Sequence, residues 1–325
     1  MLNTPISNFA YWRQFGRELG QEIITVSVPL FRLMVPVIII VKILEELGGV
    51  TLLGKLLAPL MANIGLPETM GMVWAATIAT NIYGGFFVLY SLTDPGDYTT
   101  AQMTVLGTLM LMAHGLPIEA RIAQRTGVRL RSVLVLRLSG GYLMAWLLHT
   151  GYTASNYLQE PANIYWQPHN QPTNLWSWCL GQLEGLLAVQ VVIIVLLTGL
   201  KLIKLVGIEQ LIQTLLRPLL KIMGIGREAT TITLVGLTLG LAFGGGLLIK
   251  EAQSGKVSKR DIFAAITLLG FCHSLIEDTL VIMLIGAHLS GILWFRLIFS
   301  MVMTWLMVVI MEHSSDRFCQ RHLIK

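Results

Sequence analysis

Apolar residues run along this chain in blocks rather than in alternation. Five blocks are long enough to cross a bilayer: 23–44, 132–150, 180–200, 262–285 and 292–311. A crossing helix needs about 20 such residues. Two further apolar stretches, 69–93 and 228–249, carry glycine pairs late or midway along them, Gly84-Gly85 and Gly244-Gly245. Shorter segments at about 50–63 and 208–223 mix apolar residues with Lys55, Arg217 and Lys221, as helices lying along a membrane surface do.

The order of these blocks repeats. Leu56-Leu57-Ala58-Pro59-Leu60 returns as Leu215-Leu216-Arg217-Pro218-Leu219, His114-x-Leu116 as His273-x-Leu275, Arg137 as Arg296 and Trp146 as Trp305. The offset is 159, or 160 from about residue 68 to the glycine pairs. Lys42/Lys201 and Gly48/Gly207 extend the match. The chain therefore divides into a polar segment 1–20, repeat 1 at 21–150, a loop at 151–178, repeat 2 at 179–312 and a tail at 313–325.

Charge placement orients the halves. Basic residues gather at Arg13 and Arg17, at 119–131, 201–227 and 250–260, and in the tail. The segments 151–175 and 283–291 have no Lys or Arg, and the loop 94–100 carries only Asp94 and Asp97. The positive-inside rule puts the basic groups and both termini in the cytoplasm and 151–178 outside. Two basic segments on one side, 201–227 and 250–260, flank the apolar run 228–249. That run then enters and leaves by the same face, as a re-entrant hairpin, and 69–93 is its counterpart from the other side. Two full spans per hairpin region is the alternative. The expected fold is an all-α polytopic membrane protein of two inverted-topology repeats. Each repeat has about three transmembrane helices, one interfacial helix and one re-entrant hairpin, which is a common transporter plan. Within the hairpins, Ala76, Thr80 and Gly84 match Gly236, Gly240 and Gly244, and spacing of four puts each set on one helix face.

Composition agrees. The chain is 54% hydrophobic and 13% charged, with mean hydropathy +0.69, against about 25% charged in a soluble domain. The net charge of +5 sits in loops between spans, so a nucleic-acid partner is not expected. Residues 1–20 do not read as a signal peptide, and span 1 is expected to be retained. The three cysteines are scattered and imply no disulfide framework. No zinc-protease, nucleophile-elbow or phosphate-loop motif occurs, so an enzyme is not expected.

Ionisable groups inside apolar segments point to function. His114-Gly-Leu-Pro117-Ile-Glu119 and His273-Ser-Leu-Ile-Glu277-Asp278 are the strongest cases. Pro117 should break its helix, and His273 and Glu277, four apart, would share a helix face. Imidazole with carboxylate binds a metal, relays a proton or hydrogen-bonds a polar substrate, and the spacing does not choose. The metal candidates are His273 and Glu277. Glu119 either joins His114 or faces the cytoplasm beside Arg121 and Arg125. Thr77, Thr80, Asn81 and Tyr83, with Gly84, Gly85, Gly244 and Gly245, would either hold a substrate at the hairpin tips or satisfy freed backbone. Arg32, between Pro29 and Pro36, either pairs with an anion or snorkels, and Arg137 and Arg296, near span ends, are expected to snorkel.

The glycine pairs and the two His-x-Leu-x-x-[Glu/Asp] segments resemble the Gate, or nucleoside-recognition, domain family. It includes spore-maturation membrane proteins and the permease part of ferrous-iron transporters, and its layout is similar to that of concentrative nucleoside transporters. The resemblance covers about 20–312. It implies a bacterial-type inner-membrane transporter of a small polar or ionic solute, working by alternating access. The spore-maturation members imply the alternative of a non-transporting scaffold or accessory subunit. The Gln-Thr-Glu and Asn-Glu-Phe motifs of nucleoside transporters and the iron permease's GTPase domain are absent, which leaves the substrate open. A coupling ion (H+ or Na+), a divalent metal substrate and a homo-oligomer are all compatible with the chain.

Overall fold

A computed structural model describes residues 9–92, 97–164, 174–223, 225–255 and 257–325. Residues 1–8 of the polar segment, Asp94, residues 165–173 of the loop 151–178 and Lys256 lie outside the described residues, as do the side-chain surroundings of Gly244 and Gly245.

Among the described residues the protein is built from helices, with only two isolated β-bridges, Thr99 with Pro161 and Val128 with Ile324. The order is α1 (Phe9–Glu46), α2 (Gly49–Ala62), α3 (Met70–Ala79), α4 (Ile82–Leu92), α5 (Thr100–Met112), α6 (Leu116–Arg125) and α7 (Leu130–Ser155). Then come α8 (Leu175–Leu205), α9 (Ile208–Ile222), α10 (Arg227–Leu239), α11 (Leu241–Ser254), α12 (Lys259–Cys272), α13 (Glu277–Met283) and α14 (Arg296–His313). A π-helical turn, Ser290–Phe295, leads into α14.

Among the described residues, five segments are long and apolar enough to cross a membrane: Trp12–Ile40, Leu130–Ser155, Leu175–Leu202, Lys259–Met283 and Ser290–His313. They coincide with the five apolar blocks. Helices α5 and α6 together pass the same test of length and composition, as a broken span or a re-entrant loop bent by 41° at its break. Burial sorts the crossings into layers. Lys259–Met283 is 78% buried in its most apolar window, whereas the α1 and α8 windows are 19% and 17% buried. Segments α5 and α12 therefore form the centre. Helices α1 and α8 lie outermost, touching each other through Met34, Ile38, Val189 and Ile193 and reaching the centre through Phe87. Helix α1 continues through Pro29 and Pro36.

Helices α3 and α4, of 10 and 11 residues, reach roughly half of the ~30 Å hydrocarbon thickness at 1.5 Å per residue. They also turn back on each other. A Cβ on Gly85 would lie 2.0 Å from Thr77 Oγ1, although eight residues of continuous helix would part them by about 12 Å. The reversal falls at Thr80-Asn81, where Asn81 Oδ1 accepts from Gly84 N at 2.9 Å. Helix α10 is broken from α11 in the same way at Gly240 (φ +91°). These breaks correct one expectation. Ala76 lies on α3, Thr80 at the reversal and Gly84 on α4, so the three do not share a helix face. The same holds for Gly236, Gly240 and Gly244, because the helix ends in the middle of each set.

The helices that follow the reversals start alike. Thr99 caps α5 and accepts from Gln102 N, and Ser258 caps α12 and accepts from Asp261 N. The capping partner then reaches back to the chain just before the reversal. Gln102 Nε2 donates to Gly65 O at 3.0 Å, and Asp261 Oδ1 accepts from Gly226 N at 3.1 Å. Arg129 N donates to Leu323 O (2.8 Å) and Lys325 N to Gly127 O (2.9 Å), which straps residues 323–325 to the α6–α7 turn.

Candidate functional site at two broken helices

Both central crossings are interrupted at the same register. Helix α5 stops at Met112. Gly115 adopts the left-handed region (φ +57°), and α6 restarts with Pro117 in its first turn, where a missing N–H costs nothing. The break thus precedes Pro117 rather than falling at it. Helix α12 stops at Cys272, His273 is extended, Ser274 has φ +46°, and α13 begins at Glu277. His273 and Glu277 are therefore not on one helix face, because no helix connects them.

A broken helix leaves carbonyls without partners. In each half an arginine from the next helix supplies them. Arg137 of α7 donates from Nε to Met112 O (2.9 Å) and from Nη2 to His114 O (3.2 Å). Arg296 of α14 donates from Nε to Phe271 O (3.0 Å) and from Nη2 to His273 O (3.0 Å). The two sets of bonds are the same at an offset of 159. Arg137 is 2% exposed and Arg296 0%. This corrects the expectation that they snorkel: both turn inward, because the breaks offer acceptors that a membrane surface would otherwise provide.

The same register brings the histidines together. His114 Nδ1 lies 3.1 Å from Met110 O and His273 Nδ1 lies 2.8 Å from Leu269 O. A carbonyl only accepts, so each Nδ1 carries a proton and each Nε2 is the ring atom turned to the shared centre. Those two Nε2 atoms lie 3.0 Å apart. Glu119 Oε1 sits 3.1 Å from His273 Nε2 and 3.4 Å from His114 Nε2, while its Oε2 accepts from Arg137 Nη1. Glu119 thus joins both histidines rather than facing outward with Arg121 and Arg125. Asp278, the counterpart of Glu119, places Oδ2 at 3.8 and 4.0 Å from the two Nε2 atoms. That oxygen has no hydrogen-bond partner among the described residues, nor has Arg296 Nη1.

Among the described residues, His114, Glu119 and His273 form a group whose ligand atoms all lie within 4.8 Å of one another. Glu277, proposed with His273 as a metal pair, heads α13 outside that group. The hairpin tips abut the breaks. Gly115 N donates to Thr77 O (3.1 Å) and Leu275 N to Leu237 O (2.8 Å). The hydroxyls of Thr77 and Thr80 bond back to Val73 O and Ala76 O, and so satisfy their own helix. Asn81 Oδ1 is taken up by Gly84 N, so these groups satisfy the backbone freed at the reversal. Arg32 is exposed on α1, apart from the cluster. The cavity against Arg137, lined also by Val133, Thr267, Gly270 and Phe271, holds about 10 Å³, at most one water.

No protein-family model matches the chain, and no solved structure matches it. The chain is 24% identical over 282 residues to the uncharacterized membrane protein YvoD of Bacillus subtilis (strain 168), a match covering 84% of this chain and 87% of that one. With its apolar crossings, this chain is a membrane-embedded helical protein.

Proposed function

We propose that the chain is a multi-pass inner-membrane transporter of a small polar or ionic solute, Gate-domain-like in plan, built from two inverted repeats that move against each other around the His114–His273 pair. One observation carries the reading: two repeat-equivalent histidines meet at 3.0 Å in the buried centre, at breaks in two crossing helices. Midplane sites at paired broken helices are how such carriers bind solute. Inversion has independent support. Lys201, late in α8, lies 3.5 and 3.4 Å from Glu18 and Glu22, early in α1, so these repeat-equivalent helices run antiparallel. The reciprocal contacts of α4 with α13 and of α11 with α6 also fit two interlocked halves. Close packing around the pair suits an occluded conformation and a solute of ionic size rather than a nucleoside.

The test is flux into liposomes holding the purified protein, with a panel of inorganic cations, protons and small organic solutes. Wild type should move at least one of them, and His114→Asn and His273→Asn should each abolish that flux while the protein stays folded. A buried histidine pair whose Nδ1 atoms are both satisfied by main-chain carbonyls also suits a scaffold or accessory subunit. Absence of flux across the whole panel by folded wild type would favour that reading.

A further inference from the structure

We propose that His114, His273 and Glu119 bind a divalent first-row transition metal ion, with Asp278 as the fourth ligand. The inference deepens the transport reading by naming the ion class, and it rests on that reading only for the ion's role as cargo.

The tautomers come first. Each Nδ1 proton is committed to a main-chain carbonyl, which leaves the two Nε2 atoms, 3.0 Å apart, as the coordinating positions; with both rings neutral their lone pairs face each other. Two neutral acceptors that close repel unless a cation lies between them. A proton on one Nε2 can be shared between the other Nε2 and Glu119 Oε1, but it leaves Asp278 Oδ2 without a partner. One metal ion satisfies all four.

The spacing fits an ion. The two Nε2 atoms and Glu119 Oε1 are separated by 3.0, 3.1 and 3.4 Å. A point equidistant from all three lies about 1.8 Å from each in their plane, so an ion at 2.0–2.1 Å sits just off that plane, over one face of a tetrahedron. Asp278 Oδ2, at 3.8 and 4.0 Å from the two Nε2 atoms and outside the three-residue group, must move closer to complete the tetrahedron, and among the described residues it has no hydrogen bond to give up.

The surroundings fit as well. Ligating histidines ordinarily donate their other N–H to a carbonyl, and ligating carboxylates are themselves hydrogen-bonded. Both histidines do the first, and Glu119 does the second through Arg137. Two imidazoles with carboxylates select zinc, cobalt, iron or nickel over magnesium and calcium, which take oxygen ligands.

Full-length protein in detergent, stripped with a chelator, would be titrated with cobalt(II) and with zinc(II) alone. The expected result is one ion per chain, with the intense visible bands of tetrahedral cobalt. His114→Asn and His273→Asn should each weaken binding by at least about 100-fold, and Asp278→Asn by about 10-fold. X-ray absorption on the wild-type cobalt form should show scattering from two imidazoles, so the proposal stays testable if a histidine variant fails to fold. Folded wild type that binds no stoichiometric metal, or binds it without imidazole, overturns the proposal. Failure of the transport reading looks different: the metal binds as described, yet nothing crosses the liposome membrane. Conversely, flux of another solute without metal binding removes the metal and leaves transport standing.

Discussion

His114 and His273 stand 159 residues apart in the chain, their Nε2 atoms 3.0 Å apart in space, and 159 is also the offset at which the sequence motifs recur. Two equivalent residues can touch only where the axis relating their halves passes between them. On the inverted-repeat reading that axis lies in the membrane plane, so the pair marks both the centre of the fold and mid-depth in the bilayer.

The guanidinium of Arg137 ties the first break together, holding two carbonyls and Glu119. Arg137→Ala should destabilise the folded protein by ~3–5 kcal/mol, since it strands a buried carboxylate. Glu119→Gln combined with Arg137→Ala should cost clearly less than the two single changes added, with a coupling of ~0.5–3 kcal/mol. Thermal unfolding of the four proteins in one detergent measures this, and strict additivity would refute the pairing.

Asp278 is one methylene shorter than Glu119, and in its half the carboxylate–arginine bond is not made: Asp278 Oδ2 and Arg296 Nη1 both lack partners among the described residues. Asp278→Glu should restore the missing bond and raise stability by ~1–2 kcal/mol. A lower melting temperature than wild type would show that the extra methylene finds no room.

Close approach at the first reversal requires glycine. A Cβ at position 85 would sit 2.0 Å from Thr77 Oγ1 and 2.7 Å from Met110 Cε. Gly85→Ala should cost ~1–3 kcal/mol through overpacking. Gly151→Ala, where nothing lies within 4 Å, should stay within about 0.5 kcal/mol of wild type. Equal melting temperatures for the two variants would contradict the hairpin geometry.

Orientation is open to labelling. In a background with the exposed Cys179 replaced, Glu160→Cys should react with an impermeant maleimide in intact cells. Arg121→Cys should react only after permeabilisation. The reverse pattern would invert the topology read from the basic loops.

The sequence made the crossings legible because lipid demands long apolar runs, and all five expected spans appear in place. It also marked His114, Glu119, His273 and Asp278, since polar groups in such runs stand out. What it hid was partnership. Spacing of four suggested His273 with Glu277, but the helix that would align them ends at Cys272, and the ring meets residues from the other half instead. Arg137 and Arg296 looked like surface anchors because their true acceptors, the carbonyls freed at Met112 and Phe271, exist only once a different helix has broken. Their recurrence at the histidines' own offset was the available clue.

A perfect duplication would offer an ion at the centre two identical ways out. Here one wall is stiff, with Glu119 clamped by its arginine, and the other is slack, with Asp278 unheld. On the proposed transport reading, that asymmetry of one methylene would let the half that holds Asp278 yield to a central ion before the half that holds Glu119.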